Sequence, residues 1–314
     1  MAWVTWRQQR ATLISLPAVL GTVAVFLLIA GLKVHHDYAA IVNCPLGGPH
    51  QSTACANNLR SFNSTDWTLG NTCAILMSLA PVLIGAFAGA PVLAKELETG
   101  TFRYAWTQGF ARTRQTIAKL ALLGVAIAIL AWAFGELFGW FFHPFLYIEQ
   151  RNPLSDSVFE TSGIVFPAFA LVSFAIGAFL GMLIRRVIPA LAATLGVYLL
   201  LSLGAWALHG QYPVSVVTSD TKLLNAYETP SLPGFPWILN TWYTGPGGKP
   251  ASQSVINQYL SNPNARLPKG YTTWNRYIPL SHYWPMQLIE AGWLLVLAVA
   301  LTAATVWLVR HRAA

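Results

Sequence analysis

Charge is scarce in this chain. Aspartate, glutamate, lysine and arginine make up 10% of its 314 residues, against about 25% in an ordinary soluble domain, so a water-solvated globule is excluded as the setting for most of it. Cysteine is nearly missing: three residues, with no C-x-x-C pair and no H-x-x-x-H spacing, give no metal-binding framework. No G-x-x-x-x-G-K-[ST] sequence occurs, so the chain has no phosphate loop with which to hydrolyse ATP itself. TGPGGKP at 244–250 comes nearest, and there Pro250 follows Lys249. The long apolar runs hold no cluster of His, Asp and Glu, as an intramembrane protease or lipid-modifying transferase would need. Lys+Arg number 19 against 11 Asp+Glu, but no basic patch interleaved with aromatics appears on a soluble domain, which argues against nucleic acid as a partner.

What is abundant is grease. Hydrophobic residues are 55% of the chain and mean hydropathy is +0.50. Six apolar stretches, near 13–32, 70–93, 117–141, 163–184, 188–208 and 287–309, each reach the roughly 20 residues needed to cross a hydrocarbon core. The expected fold is an all-α membrane protein of one six-span domain over 1–314, multi-pass in the cell membrane. Arg7 and Arg10 precede the first run, which is longer than a secretory core and has no A-x-A site after it, so it reads as a retained anchor.

Lysine and arginine set the orientation, because they resist translocation. With the N-terminus inside, the cytoplasmic pieces carry Arg7, Arg10, Lys95, Arg103, Arg112, Arg114, Lys119, Arg185, Arg186, Arg310 and Arg312; the other eight basic residues are spread along the outer segments. Both termini are therefore expected in the cytoplasm. An outer loop falls at 33–69, a cytoplasmic segment at 95–116 and a large extracytoplasmic cap at 209–286, between spans five and six.

The first outer loop holds Cys44 and Cys55, and Cys73 stands near the outer end of span two. An oxidising exterior favours a Cys44 to Cys55 bridge, worth about 3 kcal/mol for a loop of that size; pairing through Cys73 is the alternative. His35, His36, Asp37 and His50 lie close by in sequence without metal-ligand spacing. The cap is too aromatic for a disordered tail, and ASQSVINQYL within it reads as a short amphipathic helix.

Three spans carry glycine four residues apart: Gly85 and Gly89, Gly135 and Gly139, Gly177 and Gly181. In lipid such notches let backbones approach closely. Pro81 and Pro91 are expected to kink or break span two, and Pro189 fits the first turn of span five after a tight link. Ionisable residues within spans are few. Glu136 is the candidate on a substrate path, as a cation or proton site, and Glu290 sits at the outer start of the last span.

ELETGTFRYAWTQGFARTRQTIAK, at 96–119, interrupts the grease on the cytoplasmic side. Thr101 is a plausible N-cap, and Phe102, Trp106 and Phe110 recur at i, i+4 and i+8, which predicts an amphipathic helix with one aromatic face. Periodicity alone does not separate a helix resting on lipid from one gripped by a partner.

These residues resemble the type-2 class of ATP-binding cassette (ABC) exporter permeases, in particular the small actinobacterial subunits. That class shows an acid, a variable position, Gly and Thr after span two, then the amphipathic helix, an Arg about eleven positions past the Thr and a Lys near the start of span three. Here stand Glu98, Thr99, Gly100 and Thr101, then Arg112 and Lys119, with Glu96 as a frequent second acid. Gly109 and Ala118 depart from the pattern, where Pro and Gly are usual. The resemblance implies a permease that pairs with a second copy, likewise embedded in membrane lipid, to form one pathway. A separate cytoplasmic ATPase would drive it, with ATP and Mg on that partner and no cofactor on this chain. It also implies that Glu96, Glu98, Gly100, Thr101, Phe102 and Trp106 contact or brace the ATPase, and that Arg112 and Lys119 anchor span three. A non-transporting sensor or assembly protein that binds through its cap fits the same hydropathy.

Overall fold

The computed structural model describes residues 2–42, 53–62, 64, 67–100, 112–148, 152–154, 156–212, 217–220, 236–261 and 268–312, with side chains in the first helix from residue 21 onward. The chain divides into two compact units. One comprises Met1–Phe145, Asp156–Tyr212 and Gln287–Ala314; the other comprises Leu146–Ser155 and Pro213–Met286.

The first unit is helical. Helix α1 (Ala2–Ala39) and the short α2 (Thr53–Ser61) precede α3 (Trp67–Ile84), a π-helical turn at Gly85–Gly89, and α4 (Pro91–Glu98). Then come α5 (Arg112–Ile148), α6 (Asp156–Phe159), α7 (Val165–Ile184) and α8 (Val187–His209). Among the described residues five helical stretches are long and apolar enough to cross a membrane: Thr68–Glu98, Thr113–Leu146, Val165–Ile184, Val187–His209 and Leu280–His311. The run expected at 13–32 lies within α1.

Helix α7 is the hub, packing on α3, the π turn, α4 and α8. Two of the glycine pairs explain how it comes so close. A methyl at Gly177 would overlap the carbonyl oxygen of Gly85, one at Gly181 the carbonyl oxygen of Ala90, and one at Gly89 would lie 2.5 Å from the Phe174 oxygen. The seam therefore joins backbone to backbone, the geometry by which small residues hold helices together in lipid. The third pair makes no such seam, since added methyls would have ordinary clearance at Gly135 and nothing within 4 Å at Gly139.

Span two continues through Pro81, and its irregularity falls at 85–89, where Ala90 N–H donates to Gly85 O at 2.9 Å, five residues back. Pro91 follows and has no N–H to donate, so the ladder restarts with proline in the first turn of α4. Of the buried side-chain polar atoms described, Ser173 Oγ, at the Gly85 contact, has no hydrogen-bond partner.

At the other end of the spans, Phe138, Phe141, Phe142 and Phe145 of α5 are buried together, and Phe62 lies 5.3 Å from Phe145 between ring centroids. His35 stacks on Trp140 at 4.6 Å, and Gly31 leaves room for that indole. Cys55 is disulfide-bonded, whereas Cys73 is a free, buried thiol; Cys44 lies outside the described residues.

The second unit is not all helical. Strands β1 (Val217–Asp220), β2 (Trp237–Thr244) and β3 (Thr272–Ile278) form an antiparallel sheet in the order β1-β3-β2, with a register shift between Ile238 and Asn240. Its aromatics pair across strands, Trp242 opposite Trp274, and Trp274 Nε1 donates to Thr244 Oγ1 at 2.9 Å. The amphipathic segment forms α9 (Gln253–Leu260). TGPGGKP closes a turn in which Gly247 and Gly248 both have positive φ, a conformation that glycine adopts readily. The unit also takes in Leu146–Ser155, so it extends beyond the 209–286 loop. Helix α10 (Tyr283–Arg312) completes the chain.

Candidate functional site

Helix α4 is short, and its C-terminal turn carries two acids two positions apart. At about 100° per residue, positions i and i+2 point about 200° apart, so Glu96 and Glu98 face opposite sides of α4. Each finds a different neighbour.

Glu96 forms an ion pair with Lys119 of α5. Lys119 is only 2% exposed, Glu96 21%. The pair borders a small space shared with Leu93, Thr116, Met182 and Val309, which ties α4 to α5 beside α7 and α10. A buried ammonium is tolerable only with such a partner.

Glu98 reaches the other way. Its Oε2 accepts the Val187 N–H of α8 at 2.8 Å. Arg185 adopts left-handed φ 61° at the end of α7, and Arg186, extended, precedes α8 without supplying a side-chain cap. Glu98 therefore caps α8 from another helix. A carboxylate there satisfies an N–H that has no partner within its own helix, and it complements the positive end of the helix dipole. Ala90 and Ala94 pack against Ala190 just behind this cap, with Ile184, Val187 and Leu191 at the margin.

Helix α4 ends at Glu98. Thr99 N–H and Oγ1 both donate to Lys95 O, at 3.1 and 2.8 Å. Gly100 then takes φ +69°, and a Cβ added there would meet nothing within 4 Å, so glycine is needed here for torsion and not for space. Glu96, Glu98, Gly100 and Lys119 are thus gathered at one end of the bundle. Arg112 begins α5, with its side chain outside the described set; Thr101, Phe102 and Trp106 also lie outside the described residues.

Glu136 stands apart. It is exposed on α5, on the same face as Val125, Ile129 and Trp132. Among the described residues the buried carboxylate is Glu290, 1% exposed. Its Oε2 lies 3.1 Å from His209 Nδ1 and accepts the Tyr212 hydroxyl at 3.1 Å, and Trp293 Nε1 donates to that Tyr212 oxygen at 3.2 Å. His209 meets Phe159 edge-on at 4.6 Å. Burial pushes the Tyr212 phenol well above its ordinary pKa, the neighbouring carboxylates add to the rise, and the Trp293 hydrogen bond opposes it.

One turn earlier, Gln287 is fully buried. Its Oε1 accepts the N–H groups of Ile164 and Val165, both at 3.1 Å, and its Nε2 donates to Phe159 O at 3.0 Å. It caps α7 from α10, as Glu98 caps α8 from α4. The sequence offered a cue to both: Gln287 and Glu290 are polar residues one turn apart at the start of an apolar helix.

A family model described as ABC-2 membrane transporter related matches residues 17–208, from within α1 to the last turn of α8. No curated protein and no solved structure matches the chain.

Proposed function

The chain belongs to the ABC-2 membrane transporter related family, and on that premise we propose that it is the permease subunit of an ABC exporter in the cell membrane. Two copies surround one pathway, and a separate cytoplasmic ATPase, holding ATP and Mg, drives them. Helix α1 serves as the first of six spans, which puts both termini and the 95–116 segment in the cytoplasm and the 209–286 loop outside.

The observation that carries this reading is the double tie of α4. A force applied to the segment that follows Gly100 reaches α5 through Glu96 and Lys119 and reaches α8 through Glu98 and Val187. Thr101, Phe102 and Trp106 supply the surface gripped by the ATPase, and Arg112 sets the start of α5. The pull biases the bundle only by the difference in ATPase affinity between its two arrangements.

Glu136 fits the pathway. A carboxylate facing lipid costs of order 2–3 kcal/mol, and placing its face of α5 along a cavity shared by two copies removes that cost.

The test is affinity purification of the tagged chain from its native membrane, followed by an ATP-turnover assay of the ATPase that accompanies it. Copurification, with ATP turnover raised by the permease and lost in a Glu98→Ala, Phe102→Ala double variant, is the expected result. A correctly folded double variant that still stimulates the ATPase fully would refute the coupling role.

A further inference from the structure

A cleft of about 630 Å³ runs between α5, α7 and α10 at the end of the bundle that carries Arg310. Small residues open it: Gly124 of α5, where an added Cβ would meet nothing within 4 Å, and Ala298 and Ala303 of α10. Along α5 the lining runs from Thr113 to Gly124, about 16 Å at 1.5 Å per residue, close to half of a hydrocarbon core about 30 Å thick. The cleft is therefore about as deep as one leaflet.

Its polarity is confined to one mouth. The Thr302 hydroxyl is already committed to Ala298 O at 2.8 Å. Thr113 and Arg310 stand at the end of the lining, where Arg310 is exposed and makes no hydrogen bond or ion pair with another described residue. Arg114, next to Thr113, is exposed as well. An apolar slot one leaflet deep that ends in an exposed guanidinium has the chemistry of an acyl chain below a phosphate.

We propose that this cleft is a binding site for one anionic phospholipid of the bilayer, its chain along Gly124 and Ala298 and its phosphate on Arg310. The proposal requires only that the chain sits in a membrane, and it is independent of the coupling role above.

The protein is purified from vesicles of equal phosphatidylglycerol and phosphatidylcholine, and retained lipid is counted per chain by native mass spectrometry. Wild type is expected to retain phosphatidylglycerol preferentially. Arg310→Gln should weaken that preference about fivefold, the equivalent of about 1 kcal/mol per basic residue at an anionic surface, and Arg310→Lys should keep it. Gly124→Leu, filling empty space, should remove one retained lipid of either headgroup while leaving the protein monodisperse. Equal retention of both lipids by wild type, or an unchanged count in Gly124→Leu, overturns the proposal. So does Val299→Cys cross-linking to a second copy in the bilayer, which would show protein and not lipid in the cleft.

Discussion

The carboxylate of Glu98 and the backbone N–H of Val187 are 89 residues apart in sequence and 2.8 Å apart in space. One helix thus stabilises the first turn of another with an acid from its own C-terminal turn. The same arrangement recurs between Gln287 and the start of α7, so both halves of the α7–α8 hairpin are capped from outside.

Replacing Glu98 by alanine is expected to cost about 1 kcal/mol, the usual penalty for a lost N-cap. Glu98→Gln, which keeps an acceptor but loses the charge, should fall between the two. Chemical unfolding in detergent reads both. A loss in Glu98→Ala no larger than that of a nearby exposed substitution would show that the cap is dispensable.

Lys119 is enclosed and depends on Glu96. Glu96→Leu leaves the ammonium without its counter-charge and is expected to destabilise by up to about 3 kcal/mol, whereas Glu96→Leu with Lys119→Met should recover most of that loss. A double-mutant cycle in the same unfolding assay measures the coupling, and strict additivity would contradict the pairing.

The glycine seam predicts a contrast within one motif. Gly177→Ala forces a methyl into the Gly85 carbonyl and should cost about 1–3 kcal/mol, while Gly139→Ala, with open space around it, should be neutral or stabilising. Ser173→Ala removes a buried hydroxyl that has no partner and should also be tolerated. Equal effects at Gly177 and Gly139 would argue against close contact of α7 with the π turn.

Tyr212 gives stability a limit in alkali. Its phenol ionises later in the folded protein than in the unfolded chain. The contribution is therefore complete below the ordinary tyrosine pKa of about 10 and is lost as pH rises through the higher folded value. Tyr212→Phe should flatten the fall in stability above pH of about 10 and leave the slope at neutral pH unchanged. An identical alkaline limb in the variant would show that another group sets it.

For Glu136, the expected outcome of Glu136→Gln is altered transport or altered pH dependence of transport in reconstituted vesicles. Unchanged behaviour in both would remove it from the pathway.

The long apolar runs were legible because length and hydropathy decide them locally, and the runs read at 163–184 and 188–208 became Val165–Ile184 and Val187–His209. The tight link at Arg185 and Arg186 was legible too, from Pro189 close behind it. Roles decided by contact were not. Glu96 and Glu98 stood out as acids in a motif, yet nothing in their spacing told that one would meet Lys119 and the other a backbone amide of α8. Glu136 drew notice because it sits inside a span, while Glu290, nearer a span end, is the one the fold encloses with His209. Three glycine pairs looked alike in sequence, and only facing partners separate the two that pack. The sheet in the second unit escaped because β1 is only four residues long and Asn240 and Asn275 fall inside β2 and β3, neither of which alternates cleanly.

Two residues, Arg185 and Arg186, are all that join α7 to α8. So short a hinge forbids axial sliding of one helix past its neighbour, and α7 behaves as a stiff rod held at one end beside Glu98 and at the other by Gln287. Over 20 residues that rod is about 30 Å long. A swing of about 10° at the Glu98 end would carry Val165 through about 5 Å, roughly the rise of one helical turn, so any such motion must first break the bonds to Gln287.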